Sequence, residues 1–198
     1  MQRELAVITG ASSGIGEVFA RKLAPQYDLL LIARNKERLA ALAAELSAQH
    51  GGSVDVLDAD LSDPAQLAAA ATRIGAAANL GLLVNNAGFG LRGAFWQSDL
   101  ETIERMHRLH ILALVRLSHA ALNVMVPKDR GAIVNLASIA SFVQRAESVS
   151  YGATKSWVAS FTEGLHLDLQ KARSAVRVQA LCPGFTYSGF HDSMGEDR

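Results

Sequence analysis

Tyr151 and Lys155, four residues apart in Tyr-Gly-Ala-Thr-Lys, are the side chains here best suited to move a proton. On a helix, residues at that spacing share a face. A phenol titrates near 10, too high for easy proton exchange at neutral pH, and a neighbouring ammonium favours its ionised form. Each unit of lowering corresponds to about 1.4 kcal/mol. The pair therefore predicts a general acid/base at Tyr151, tuned by Lys155. Ser138 follows a short apolar run. That places it at the carboxyl edge of a sheet, where open α/β folds take ligands, with a hydroxyl able to hold a carbonyl oxygen beside the phenol.

A second constellation lies near the amino end, in Thr9-Gly-Ala-Ser-Ser-Gly-Ile-Gly16. Gly10, Gly14 and Gly16 suit a tight turn, a close approach of pyrophosphate to the backbone, and close packing of helix on strand. With Ser12, Ser13 and Ile15 they open a helix whose free N–H groups attract phosphate. The next strand ends Ile32-Ala33-Arg34-Asn35, where an acid would select NAD and a basic residue the 2′-phosphate of NADP. Arg34 predicts NADP(H), because a guanidinium forks two bonds to phosphate. Arg38 reads as a solvated helix charge, and Lys36 is open to the same reading. Asp60 and Leu61, past the third strand, stand where adenine would lie, although Asp60 reads equally well as a loop acid.

Elements that position these groups alternate along the whole chain. Strands are expected at Leu5–Thr9, Asp28–Ala33, Val54–Leu57, Leu80–Val84, Gly131–Ala137 and Val176–Leu181. The helices between them run from about Gly14 to Ala24, from an Asn35 cap to Gln49, and from Asp63-Pro64 to about Ala78. Two more run from a Ser98-Asp-Leu-Glu101 capping box to about Val126, and over Ser150–Lys171. Such alternation predicts a parallel sheet covered on both faces, in one domain spanning 1–198.

Composition narrows the class. With 198 residues, 49% of them hydrophobic, the chain can bury a real core. Lys plus Arg equals Asp plus Glu, 19 each, so charge gives no reason to expect nucleic acid or an acidic membrane as partner. One cysteine, Cys182, excludes an internal disulfide framework and a cysteine-rich zinc site. Cys182 itself reads as a buried small hydrophobe. No uninterrupted apolar run approaches a membrane span of roughly 18 residues, and the start does not read as a signal peptide, so a cytoplasmic location is expected.

TGASSGIG (9–16), NNAG (85–88), Ser138, YGATK (151–155) and PG (183–184) together resemble the short-chain dehydrogenase/reductase family. The resemblance covers nearly the whole chain. It implies a Rossmann-type doubly wound sheet of order 3-2-1-4-5-6, a nicotinamide cofactor, and hydride transfer between that cofactor and a carbonyl or alcohol carbon. It gives Tyr151 the acid/base role, Lys155 the tuning of Tyr151 and the nicotinamide ribose, and Ser138 the substrate oxygen. Asn86, Ala87 and Gly88 would line the cofactor, with Pro183, Gly184, Thr186 and Ser188 beside it. It places Arg34 in the NADP-preferring branch and implies a homodimer or homotetramer built on the long helices. Phe89, Phe142 and Phe185 are candidates to border a small-molecule substrate, with core packing as the alternative for each.

The chain departs from the family in two places. His110 stands where the family carries an asparagine that helps hold a proton-relay water; histidine can hydrogen-bond and titrate there, with a polar helix residue of no catalytic part as the equal alternative. Glu104, His107 and His110 share helical spacing, but one such helix lacks the ligand count of a di-metal bundle, so no metal is expected. The chain also ends at PGFTYSGFHDSMGEDR, where relatives continue with a substrate-covering segment and a last strand, so a truncated chain and a missing last strand are expected. An unpaired sixth strand would otherwise be an exposed edge. A cofactor-binding regulator without turnover is the alternative; the intact Ser138, Tyr151 and Lys155 argue against it.

Overall fold

Apolar runs such as Asp28–Ala33 form strands because both of their faces are covered. In the computed structural model, which describes residues 3–184, six parallel strands form one sheet of order β3-β2-β1-β4-β5-β6. They are β1 (Leu5–Thr9), β2 (Asp28–Ala33), β3 (Val54–Asp58), β4 (Leu80–Asn85), β5 (Ala132–Leu136) and β6 (Arg177–Leu181). Between them run α1 (Gly14–Leu23), α2 (Lys36–His50), α3 (Pro64–Gly75), α4 (Leu100–His107), α5 (Leu114–Met125) and α6 (Val149–Lys171). This is the expected Rossmann-type order. Among the described residues β6 pairs with β5 alone.

Because a strand alternates its side chains, neighbouring residues feed opposite layers. Val7, Leu30, Ile32 and Leu83 pack with Leu67 and Ile74 of α3 and Leu117 and Met125 of α5. Ala6, Ile8, Leu29, Leu31 and Val84 pack with Ala20 of α1 and Leu39 and Leu46 of α2. Each large side chain buried this way contributes about 1.5–3 kcal/mol. Registers such as Ile8↔Leu31 and Ile8↔Val84 bring the carboxyl ends of the central strands together.

Helix ends follow local chemistry. Asn35 Oδ1 accepts from the Arg38 amide at 2.9 Å, and Gly51 closes α2 with φ +64°. Asp63 caps α3 through the amides of Ala65 and Gln66, but α3 stops at Gly75, short of the expected Ala78. The cap of α4 is Asp99 rather than Ser98: the Asp99 carboxylate accepts from the Thr102 amide at 2.8 Å, while Ser98 Oγ donates to Ala94 O. A carboxylate makes the stronger, charge-assisted cap. From Leu100 to Lys128 the helical stretch is continuous, and by length and composition alone it could cross a membrane. Here it is a core helix, with Leu117, Ala121 and Met125 fully buried against the sheet and α3.

Candidate active site

The glycine loop bends where its residue types require. Gly10 has φ +66° and Gly14 φ +56°, both in the left-handed region that glycine tolerates. A Cβ on Gly16 would lie 2.3 Å from Gly10 O, so helix and loop can close only over glycine. Ser13 precedes α1 without a side-chain cap, and the amide of Glu17 is the first to bond back, to Ser13 O. The amides ahead of it have no acceptor within the helix and are available to an anion.

Thr9 ties this loop to the NNAG turn, a role sequence reasoning missed. Its hydroxyl accepts from the amides of Asn86 and Ala87, both at 2.9 Å, and donates to Val84 O. Asn86 Nδ2 returns the tie by donating to Thr9 O at 2.9 Å. The signal available was a hydroxyl at the end of an otherwise apolar strand.

A cavity of about 930 Å³ runs along this carboxyl edge. Its lining brings together Gly10, Ser12, Ser13, Gly14, Ile15, Arg34, Asp60, Leu61, Asn86, Ala87, Gly88, Ser138, Tyr151, Lys155, Pro183 and Gly184, all expected from sequence. Gly16 lies beneath the loop, outside that lining, and His110 sits behind the turn against Gly88. Thr186, Ser188 and Phe185 fall outside the described residues. Phe89 lines the cavity, whereas Phe142 is largely exposed and absent from the lining. Arg38, set aside as a solvated helix charge, borders the Arg34 end, and Arg92, Arg105 and Arg145 were not anticipated. The dimensions and donors suit a dinucleotide: amides at the helix start, guanidinium groups near Arg34, and polar side chains at the far end.

Asp60 is held in place from within its own loop. Ser62 donates to its carboxylate from both the amide, at 2.9 Å, and the hydroxyl, at 2.6 Å. Burial works against ionisation, but these bonds, with the nearby charges of Arg34 and Arg105, keep the group below the usual aspartate range.

At the other end, α6 carries Tyr151 and Lys155 while β5 leads into Ser138. A hydrogen bond joins Ser138 to the Tyr151 hydroxyl. Ser138 Oγ also accepts from the Ala140 amide at 3.1 Å, capping a single 3₁₀ turn, Ile139–Ser141. Burial raises the Tyr151 pKa, and Ser138 opposes that rise. This reverses the direction expected from Lys155. The Lys155 ammonium is 5.7 Å from the phenol ring centroid and donates to Leu136 O at 2.6 Å, and burial lowers its own pKa to about 8. Tyr151 is therefore a protonated phenol at neutral pH, beside a cation.

Behind these groups lies a buried polar ladder. Asn85 Nδ2 donates to Asn135 Oδ1 at 2.9 Å and to Ser118 Oγ at 3.0 Å; Asn135 Nδ2 donates to Thr162 Oγ1 at 3.0 Å. It ties β4, β5, α5 and α6 together. Among the described residues no group of three or more His, Cys, Asp or Glu is arranged to hold a metal ion.

A family model described as short chain dehydrogenase matches residues 4–198. Among curated relatives, sulfoacetaldehyde reductase 2 of Chromohalobacter salexigens is 37% identical over 94% of this chain and 74% of its own length. Serine 3-dehydrogenase of Agrobacterium fabrum is 35% identical over 93% of this chain and 72% of its own. Of solved structures, a short-chain dehydrogenase from Sphingobium yanoikuyae in complex with NADPH superposes with TM-score 0.94 at 42% identity, covering 98% of this chain and 75% of that one. A bulky-bulky ketone specific alcohol dehydrogenase from Comamonas testosteroni gives 0.90 at 36% identity, covering 94% and 74%. The chain belongs to the short-chain dehydrogenase family, whose members are oxidoreductases using nicotinamide cofactors.

Proposed function

We propose that this chain is an NADP(H)-dependent oxidoreductase that reduces a small-molecule carbonyl to an alcohol, or catalyses the reverse. The observation that carries this reading is the meeting of Ser138, Tyr151 and Lys155 with the glycine loop in one cavity. When bound, the nicotinamide supplies or accepts the hydride. Ser138 donates a hydrogen bond to the substrate oxygen and fixes it beside the phenol. Tyr151, kept protonated by burial, delivers its proton to that oxygen as the carbonyl carbon is reduced. Lys155 holds positive charge near the ring, so the phenolate left after transfer is stabilised.

At the other end, the amides of Ser13 to Gly16 meet the pyrophosphate, and Asn86, Ala87 and Gly88 line the ribose path. Arg34 takes the 2′-phosphate, with Arg38 beside it in the lining. The NADPH in the Sphingobium relative supports this choice. Exposed Leu112 and Val115 on the long helix and Leu167 on α6 favour a dimer through those helices.

Calorimetric titration tests the cofactor. NADPH is expected to bind about ten- to a hundredfold more tightly than NADH, as loss of one charge-assisted phosphate contact requires. Equal affinities, or tighter NADH, would reject Arg34 as the selector.

A further inference from the structure

Residue 110 lies within a π-helical turn, Arg108–Ala113, that interrupts the long helix between α4 and α5. Such turns widen a helix locally and often mark functional positions. The His110 ring is fully buried, and both of its nitrogens are engaged. Nε2 accepts from the Phe89 amide at 3.1 Å, at the end of the NNAG turn. Nδ1 lies 2.9 Å from Thr154 Oγ1 on α6. That hydroxyl has one hydrogen, and it donates it to Tyr151 O at 2.8 Å. Nδ1 must therefore donate to Thr154, and Nε2 must carry the lone pair.

Rather than relaying protons, we propose, His110 acts as a neutral clamp, a positioning residue that fixes α6, and with it Tyr151, against the turn Gly88–Phe89. The ring spans the space between the two elements. Gly88 makes the fit possible: a Cβ there would lie 2.8 Å from Nε2. Phe89 and Tyr151 flank the ring edge-on, each with centroids 6.0 Å away. Protonation would place a hydrogen on Nε2 facing the Phe89 N–H. Burial, the Lys155 ammonium and His107 all disfavour the charged ring. With both ring nitrogens held in hydrogen bonds and the charged ring disfavoured, the side chain is not placed to relay a proton. Its contribution is geometric, and misplacing an acid by about 1 Å can cost a hundredfold in rate.

The proposal rests on Tyr151 being the proton donor, and its test has one arm that does not. Nitrogen-15 spectra of the wild-type chain should show one histidine as the Nδ1–H tautomer with no titration between pH 5 and 8, and that signal should vanish in His110→Phe. Titration of the His110 signal within that range would overturn the clamp, whether or not the chain turns over. The second arm is kinetic. Thr154→Val removes the acceptor of the Nδ1 proton and should lower kcat about tenfold with little change in the KM for NADPH. Thr154→Ser should restore it. His110→Phe should lower kcat comparably, and the double variant should be no worse than either single one. Normal kcat in Thr154→Val beside a collapsed kcat in His110→Phe would overturn the clamp and return His110 to the relay. If wild type bound NADPH but reduced no carbonyl, the proposed function would fail while the spectral arm still decided the tautomer.

Discussion

The two halves of the sheet are built on different principles. Around β1, β2 and β3 the buried residues are almost wholly apolar; Thr9 is the exception, and its hydroxyl turns toward β4 and the NNAG turn. Around β4, β5, α5 and α6 the core buries Asn85, His110, Ser118, Asn135, Ser138, Thr154, Lys155 and Thr162. The first half offers the backbone amides of its glycine loop and places its polar lining side chains, Arg34 and Asp60, beyond the strand ends, so the side chains within its strands are left to pack. The second must hold particular side-chain atoms to within a fraction of an ångström. Networks of satisfied polar groups do this, because each bond has a direction that dispersion lacks. The cost is desolvation, and Asn85 Oδ1, buried without a protein partner, shows part of it.

Substitutions can break or sharpen that contrast, and the largest effect belongs to the acid itself. Tyr151→Phe should lower kcat by about 10²–10⁴ while leaving the NADPH dissociation constant within a few-fold, measured by stopped-flow reduction and calorimetry. Next come two core changes matched in burial. Leu31→Ala, in the apolar half, should cost about 2–5 kcal/mol in urea unfolding, with kcat of the folded fraction unchanged. Asn135→Leu should cost about 1–3 kcal/mol, because it strips Asn85 Nδ2 and Thr162 Oγ1 of a partner, and should also lower kcat. If both variants spared kcat, the polar ladder would be doing no more than the apolar core. Arg34→Glu should weaken NADPH binding about ten- to a hundredfold and leave NADH affinity nearly intact.

Much of this was legible in the sequence. Strand positions came from short apolar runs, and the glycine loop and YGATK placed their residues at the same edge, where one cavity collects them. What stayed hidden depends on contacts across the fold. Lys155 was expected to lower the Tyr151 pKa, but burial outweighs it, and no local spacing reports burial. Thr154 drew no separate reading, because only the packing of α6 brings it to His110. The Asn85–Asn135–Thr162 ladder joins residues up to 50 apart, and only an amide in an apolar strand hinted at it. Ser98 lost the cap of α4 to Asp99 because both are good caps one residue apart.

The pH dependences are smaller and carry opposite signs. His110 is held well below its ordinary 6.5 when folded, so below that pH the unfolded chain binds a proton the folded chain does not. Stability should therefore fall as pH drops below about 6.5, by up to about 1.4 kcal/mol per pH unit, and His110→Phe should remove that part of the slope. Lys155, lowered to about 8, loses its charge as pH rises through that value. Carbonyl reduction should decline above about pH 8, read from kcat.

The most direct test of the account is NADPH oxidation by a panel of ketones and aldehydes, followed for wild type and Tyr151→Phe at the same cofactor saturation. The account predicts turnover of at least one carbonyl by wild type and its loss, with NADPH still bound, in the variant. Equal turnover by both would contradict Tyr151 as the proton donor and the reading of the site built on it.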